Sequence, residues 1–184
     1  VAIAPFDDDL VGFITASRPT IASMVPTMVR RLLSADAGCL AAMRFILVGG
    51  AAVDPALVDD AHRDGVTLIS TYGMTEATSQ IATVKPEDET AGAIPLDGFT
   101  VSILHESMPD HGSSSDPTVT KGLVSIEGAP VSPGYLGEPD RKGPFVTNDI
   151  GWLDDAGALH IVGRADDVVI SGGENVSLAT VSEI

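Results

Sequence analysis

Over the first 84 or so residues, apolar positions recur in patterns that alternate between helix and strand. Residues 7–16 (DDDLVGFITA) open on three aspartates and continue with apolar residues at helical spacing, which predicts a helix with acids at its N-terminal end. Residues 20–25 are apolar and include β-branched side chains. Pro26 then suits the first turn of a helix running through Met28, Val29, Leu32 and Leu33. Residues 44–48 (RFILV) read as a short buried strand that ends in Gly49-Gly50. Asp54-Pro55 caps and starts a helix over residues 56–63, Gly65 stops it, and residues 66–71 (VTLIST) form the next strand. Strand–helix–strand alternation predicts a parallel sheet with helices on its faces.

The second half reads differently. Turn signals cluster at residues 95–98 (PLDG), 109–112 (PDHG) and 154–157 (DDAG), with short β-like runs over residues 100–104, 123–126, 159–162 and 168–170. Residues 112–117 (GSSSDP) read as a surface loop. The expected class is therefore α/β: a helix-flanked parallel sheet over residues 1–90, then a β-rich subdomain over residues 91–165. The composition changes again at residue 166. The chain begins at Val1 rather than methionine, and residues 176–184 read as an element that has just begun, so a piece of a longer protein is expected.

Composition narrows the function classes. The chain has 184 residues, 44% of them hydrophobic, enough to bury a core. It carries 10 Lys+Arg against 26 Asp+Glu, a formal net charge of −16. That balance argues against nucleic acid or an anionic membrane as partner. The apolar runs are short and broken by Gly, Pro or Asp, so no membrane span is expected. The one cysteine, Cys39, excludes an internal disulfide and suits a reducing, cytoplasmic setting. The four histidines lack metal-ligand spacing.

Four motifs offer chemistry, and each also has a structural explanation. Thr71-Tyr72-Gly73-Met74-Thr75-Glu76 follows a strand, where open α/β sheets bind ligands. Tyr72 could stack on a base, Thr75 could donate to a phosphate oxygen, and Glu76 could hold Mg²⁺; alternatively this is an ordinary polar loop. Gly49-Gly50-Ala51-Ala52 would let backbone approach a flat ligand, or is simply a tight turn. Asp149, within Thr147-Asn148-Asp149, could accept two ribose hydroxyls, or cap a turn. Gly163-Arg164-Ala165-Asp166-Asp167 carries a guanidinium fork suited to hydroxyls and phosphates, or is an ion-paired surface turn.

Taken in order, Gly49-Gly50-Ala51, Tyr72-Gly73-Met74-Thr75-Glu76, Gly122…Gly134-Tyr135, Thr147-Asn148-Asp149 and Gly163-Arg164-Ala165-Asp166-Asp167 resemble the adenylate-forming superfamily. That superfamily includes acyl- and aryl-CoA synthetases, peptide-synthetase adenylation domains and luciferases. The resemblance covers essentially the whole chain. Within the superfamily, residues 72–84 (YGMTEATSQIATV), above all Ser79-Gln80, are most similar to the o-succinylbenzoate–CoA ligases of menaquinone biosynthesis. Alternatives are another acyl- or aryl-CoA ligase, a carrier-protein adenylation domain, or a non-catalytic nucleotide-binding module.

The resemblance implies an ATP-dependent acid–CoA ligase with ATP, Mg²⁺, coenzyme A and a carboxylic acid as its small-molecule partners. It implies that Gly50, Ala51 and Ala52 lie against the adenine and that Tyr72, followed by Gly73, stacks on the other face. Thr75 would contact the α-phosphate and Glu76 the Mg²⁺, with Asp149 on the ribose and Arg164 beside it. Asp166 would be the hinge that opens a C-terminal domain begun over residues 166–184. Ser171, Gly172, Gly173, Glu174 and Asn175 would form a loop facing the coenzyme A side. The chain departs from the family pattern in carrying Asn148 where a glycine is usual, Leu123 where Gly122 is usually followed by Glu, and Asn175 where some relatives have Arg. The superfamily's phosphate loop and C-terminal catalytic lysine are not in these residues, so the 184-residue piece alone is expected not to adenylate.

Overall fold

The computed structural model describes residues 9–84, 92–105, 120–171 and 174–177. They fall into two compact units, one of Val1–Met74 with Gln80–Ala91, the other of Thr75–Ser79 with Gly92–Ile184.

The first unit is the α/β part. Helix α1 spans Leu10–Ser17, and the Asp9 side chain caps it by accepting from the Gly12 N–H at 3.0 Å. Strand β1 (Ile21–Met24) leads into α2 (Pro26–Ala41), β2 (Phe45–Val48), α3 (Pro55–Arg63) and β3 (Leu68–Gly73). β1, β2 and β3 pair in parallel, with Ala22 beside Ile46 and Ile46 beside Leu68. The two helices make the crossovers that parallel pairing requires. β4 (Gln80–Thr83) then adds antiparallel to β3, giving the order β1-β2-β3-β4.

Sequence dictates this packing locally. In α3, Leu57 and Ala61 are four apart, so both face the sheet and are buried. Asp54 caps that helix by accepting from the Ala56 N–H at 2.9 Å, Pro55 takes a first-turn position, and Gly65 exits at φ +74°. In α2, Val29, Leu32 and Leu40 are buried. That helix runs past Leu33, where the apolar spacing alone had placed it, and is broken at Asp36, whose backbone is extended (φ −162°). The Asp36 carboxylate accepts from the Gly38 N–H at 3.0 Å and restarts the helix. Ile46 and Val48 on β2 join these helix residues in one buried cluster.

The second unit is the β part. After the short β5 (Ile94–Pro95), strands β6 (Phe99–Leu104), β7 (Gly122–Gly128), β8 (Phe145–Leu153) and β9 (Leu159–Arg164) form an antiparallel meander in that order. β6 alternates half-buried and exposed positions along its whole length, as a half-covered strand should. Val124, Ile126, Ile150 and Leu159, on β7, β8 and β9, form the buried centre of the meander. The Asp154–Gly157 turn is held by the Asp154 carboxylate, which accepts from the Ala156 and Ala158 N–H groups, each at 2.9 Å, and contacts His160 Nε2 at 3.0 Å. His160 in turn stacks on Trp152 with ring centroids 4.0 Å apart.

A last hairpin pairs β10 (Val168–Ser171) with β11 (Glu174–Ser177), Ser171 opposite Glu174. Of the expected loop of residues 171–175, Ser171, Glu174 and Asn175 belong to the strands of this hairpin, and Gly172 and Gly173 lie outside the described residues. The expected surface loop of residues 112–117, the aspartates Asp7 and Asp8, and residues 178–184 also lie outside them. Among the described residues no helix is long and apolar enough to cross a membrane.

Candidate functional site

In the first unit, parallel pairing carries the C-terminal ends of β2 and β3 to one end of the sheet. Gly49-Gly50-Ala51-Ala52 leaves β2 there, beside Thr71 and Tyr72 on β3. The two glycines are required for different reasons. A Cβ on Gly49 would lie 2.5 Å from Thr71 Oγ1 and 3.2 Å from the Thr71 carbonyl oxygen, so only hydrogen fits. Gly50 has φ +81°, a conformation that costs other residues about 1–2 kcal/mol. The Thr71 hydroxyl donates to the Val48 carbonyl at 3.2 Å and ties the two strand ends together. Gly50, Ala51 and Ala52 are exposed and Tyr72 is half-buried, so small backbone and an aromatic ring share this end of the sheet.

Tyr72 and Gly73 are not in a loop after the strand, as the sequence suggested, but are the last residues of β3. The strand extends because β4 pairs with it there, Ala82 opposite Tyr72 and Gln80 opposite Gly73. That pairing fixes the Tyr72 backbone more firmly than a loop would.

Thr75 and Glu76 sit in a single 3₁₀ turn, Thr75–Ala77, between β3 and β4. The turn is anchored by Ala77, which is fully buried, and by a Thr75 carbonyl that accepts from the Thr78 N–H at 3.1 Å. Thr78 then reverses the chain with φ +64°, a left-handed backbone that a β-branched residue adopts at a cost. Thr78→Gly should relieve it. Allowing for glycine's greater unfolded entropy, a gain of about 0.5–1 kcal/mol is expected, read as a higher urea midpoint at unchanged slope.

The Glu76 carboxylate is engaged. Tyr135 Oη donates to Glu76 Oε1 at 2.6 Å, and this bond holds the Glu76 carboxyl below its usual range while raising the Tyr135 phenol. The Glu76 carbonyl accepts from the Ser132 N–H at 2.6 Å. Glu76 is therefore an anion with a fixed side chain. Among the described residues no cluster of three or more His, Cys, Asp or Glu could cage a metal by itself. The Glu76 carboxylate is a hard-oxygen donor that suits Mg²⁺, which is usually held by one or two carboxylates plus substrate phosphates.

On β8 and β9, Asp149 lies directly opposite Arg164. Asp149 is largely buried, its N–H donates to Thr147 Oγ1 at 3.0 Å, and Thr147 itself is buried. Arg164 NH1 stands 3.6 Å from Asp149 Oδ1. The fork's closer partner is Asp166: Arg164 Nε donates to Oδ1 at 2.9 Å and NH2 to Oδ2 at 2.8 Å. The Arg164 bond holds the Asp166 carboxyl below its usual range, and a hydrogen bond from the Asn148 side chain adds to it. Asn148, where the family pattern has glycine, is thus a minor partner of Asp166.

That clasp gives a pH dependence of fixed sign. Because the folded-state pKa of Asp166 is depressed, its stabilisation is present above the usual carboxylate range and is lost as pH falls through the depressed value. Melting temperatures of wild type and Asp166→Asn should differ at neutral pH and converge on acidification. A gap that stays constant to low pH would contradict the clasp.

The expected site residues thus divide between the units. Gly50, Ala51, Ala52, Tyr72 and Gly73 belong to the first, and Thr75, Glu76, Asp149, Arg164 and Asp166 to the second. Sequence reasoning missed three participants: Tyr135 on Glu76, Asn148 on Asp166, and the buried hydroxyl of Thr147 under Asp149. Gly134-Tyr135 stood in the motif series, but nothing in its spacing showed which carboxylate it would meet.

Comparison with known proteins adds identity to this geometry. A family model described as AMP-binding enzyme matches residues 1–136. A 2-succinylbenzoate–CoA ligase from Bacillus licheniformis is 35% identical over 96% of the chain, and one from Bacillus pumilus is 33% identical over 96%. The chain spans 38% and 37% of the lengths of those two relatives. Among solved structures, O-succinylbenzoate coenzyme A synthetase (MenE) from Bacillus subtilis in complex with ATP and magnesium ion superposes with a TM-score of 0.78 at 30% identity, covering 95% of this chain and 38% of that one. The same enzyme in complex with the acyl-adenylate intermediate OSB-AMP gives 0.77 at 30% identity, over 93% of this chain and 36% of that one.

Proposed function

The chain belongs to the AMP-binding enzyme family, and from that premise we propose that it is part of an AMP-forming acid–CoA ligase acting on o-succinylbenzoate in menaquinone biosynthesis. The observation that carries the proposal is the similarity over 96% of the chain to ligases of that name. ATP, coenzyme A and the acid are its substrates, and the cytoplasm is its setting.

In the proposed reaction the acid's carboxylate attacks the α-phosphorus of ATP, forming an acyl-adenylate and releasing pyrophosphate. The thiolate of coenzyme A then attacks the acyl carbon and releases AMP. This chain's residues bind and orient. Gly50, Ala51 and Ala52 offer backbone to the adenine, and Tyr72 offers its ring, with Gly73 keeping that end of β3 open. Asp149, held by Thr147, accepts ribose hydroxyls, and Arg164 supports it. The Thr75 hydroxyl donates to an α-phosphate oxygen. Glu76 would hold Mg²⁺, which supplies charge neutralisation at the phosphates. Protein groups fixed before substrate arrives cost little reorganisation, which favours this electrostatic role.

In the same reading residues 1–90 and 91–165 are the two subdomains of the nucleotide-binding region, and residues 166–184 are the hinge, at Asp166, with the start of a further domain. The two compact units support a boundary near residue 91, with the Thr75–Ser79 turn going to the second. Ser171, Gly172, Gly173, Glu174 and Asn175 are proposed to face coenzyme A.

ATP–pyrophosphate exchange by the full gene product, with o-succinylbenzoate and a panel of aryl and aliphatic acids, tests the proposal. Exchange should be fastest with o-succinylbenzoate. Faster exchange with another acid would overturn the substrate, and none with any acid would overturn the ligase.

A further inference from the structure

The segment between β7 and β8 is built onto the Glu76 turn. Its Ser132 N–H donates to the Glu76 carbonyl at 2.6 Å, and its Tyr135 Oη donates to Glu76 Oε1 at 2.6 Å. The segment therefore grips Glu76 by main chain and side chain together. It is also braced from within. The Arg141 guanidinium donates to the Ser132 carbonyl and, at 2.9 Å, to the Gly143 carbonyl, while the Arg141 N–H donates to the Pro133 carbonyl at 2.6 Å. Arg141 also lies over the Phe145 ring at 5.4 Å, at the start of β8. Ser132 Oγ closes the turn to the Gly134 carbonyl at 2.9 Å.

Tyr135 gains little packing from this arrangement. Tyr135 is 55% exposed, and neighbouring Leu136 is fully exposed. A tyrosine placed for packing would bury its ring. Here the ring projects from the surface and the polar end meets a carboxylate 59 positions away in sequence.

We propose that Tyr135 is a positioning residue for Glu76: its hydroxyl takes one carboxylate oxygen and fixes the rotamer, so that the other is presented to the cation carried by the nucleotide phosphates. The Arg141-braced segment keeps the hydroxyl in place. This rests on the reading of Glu76 as a Mg²⁺ ligand. A carboxylate that must be ordered when the cation arrives pays rotamer entropy at that moment, whereas one already held does not.

The test compares Tyr135→Phe, Arg141→Met and Glu76→Gln with wild type. Mn²⁺ serves as a paramagnetic probe for Mg²⁺, followed by water proton relaxation with ATP present. AMP affinity without divalent cation and the melting temperature are measured on the same samples. Tyr135→Phe should weaken Mn²⁺–ATP binding about fivefold and leave cation-free AMP binding unchanged, with melting lowered by no more than the loss of one exposed hydrogen bond explains. Arg141→Met should weaken it in the same direction. A purely structural role would lower the melting temperature and affect AMP and Mn²⁺–ATP alike, which would overturn the proposal. If Glu76→Gln weakens Mn²⁺–ATP binding and Tyr135→Phe does not, positioning by Tyr135 falls while the Glu76 reading stands. If Glu76→Gln has no effect, both fall.

Discussion

Glu76→Gln is expected to weaken Mg²⁺-dependent ATP binding at least about tenfold while leaving Mg²⁺-free AMP binding near wild type. The reason is local. Glutamine keeps the size of the side chain and an oxygen that can accept from Tyr135 Oη, so the turn anchored by Ala77 and Ser132 should survive. What it loses is the negative charge, and Mg²⁺ binds carboxylate oxygen in preference to amide. Among the described residues no His, Cys, Asp or Glu cluster stands ready to replace it. Isothermal titration of ATP with and without Mg²⁺ reads the difference directly. Equal Mg²⁺ dependence in wild type and variant would remove Glu76 from the cation site.

Ile46→Ala is expected to cost about 2–5 kcal/mol of folding free energy, against total stabilities of about 5–15 kcal/mol for ordinary domains. Ile46 is fully buried on the interior strand β2, between Ala22 of β1 and Leu68 of β3, in the cluster with Val29, Leu32 and Leu57. Truncation removes its transfer energy and leaves a cavity between sheet and helices that rigid strands cannot close. The Gly49–Ala52 turn leaves the same strand, so the adenine contact proposed for it should weaken too. Ile46→Val should cost only about 0.5–1.5 kcal/mol. Urea unfolding at constant slope checks both, and an Ile46→Ala loss below about 1 kcal/mol would mean that β2 is not the packed centre.

How much of this the sequence disclosed depended on the range of the interactions. The α/β half was legible because its signals are local: Asp54-Pro55 caps and starts α3, Gly65 ends it, and Leu57 and Ala61 mark its buried face. The Asp9 cap of α1 agreed with the acid-led helix predicted there. β8 was not read as a strand at all, although it spans nine residues and carries Asp149. Its Asn148-Asp149 and Gly151 look like turn residues, and only pairing with β7 and β9 makes them extended. The end of β3 was misplaced for the same reason, since β4 is what draws Tyr72 and Gly73 into the ladder.

Site residues were visible as types and order, but not their partners. Tyr135 meets Glu76 across 59 positions, and Asn148 meets Asp166 only because a hairpin turns at Asp154–Gly157. Arg164 was expected beside Asp149, and it is, but its bidentate bonds go to Asp166. No sequence spacing distinguishes those two carboxylates. The glycine-to-asparagine departure at position 148 acquires a partner only in the fold.

Amide chemical shifts followed during AMP titration show where on the chain the nucleotide sits. The largest perturbations are expected at Gly50, Ala51, Ala52, Tyr72, Gly73, Asp149 and Arg164. Perturbations confined to other residues, or none at saturating AMP, would contradict that placement.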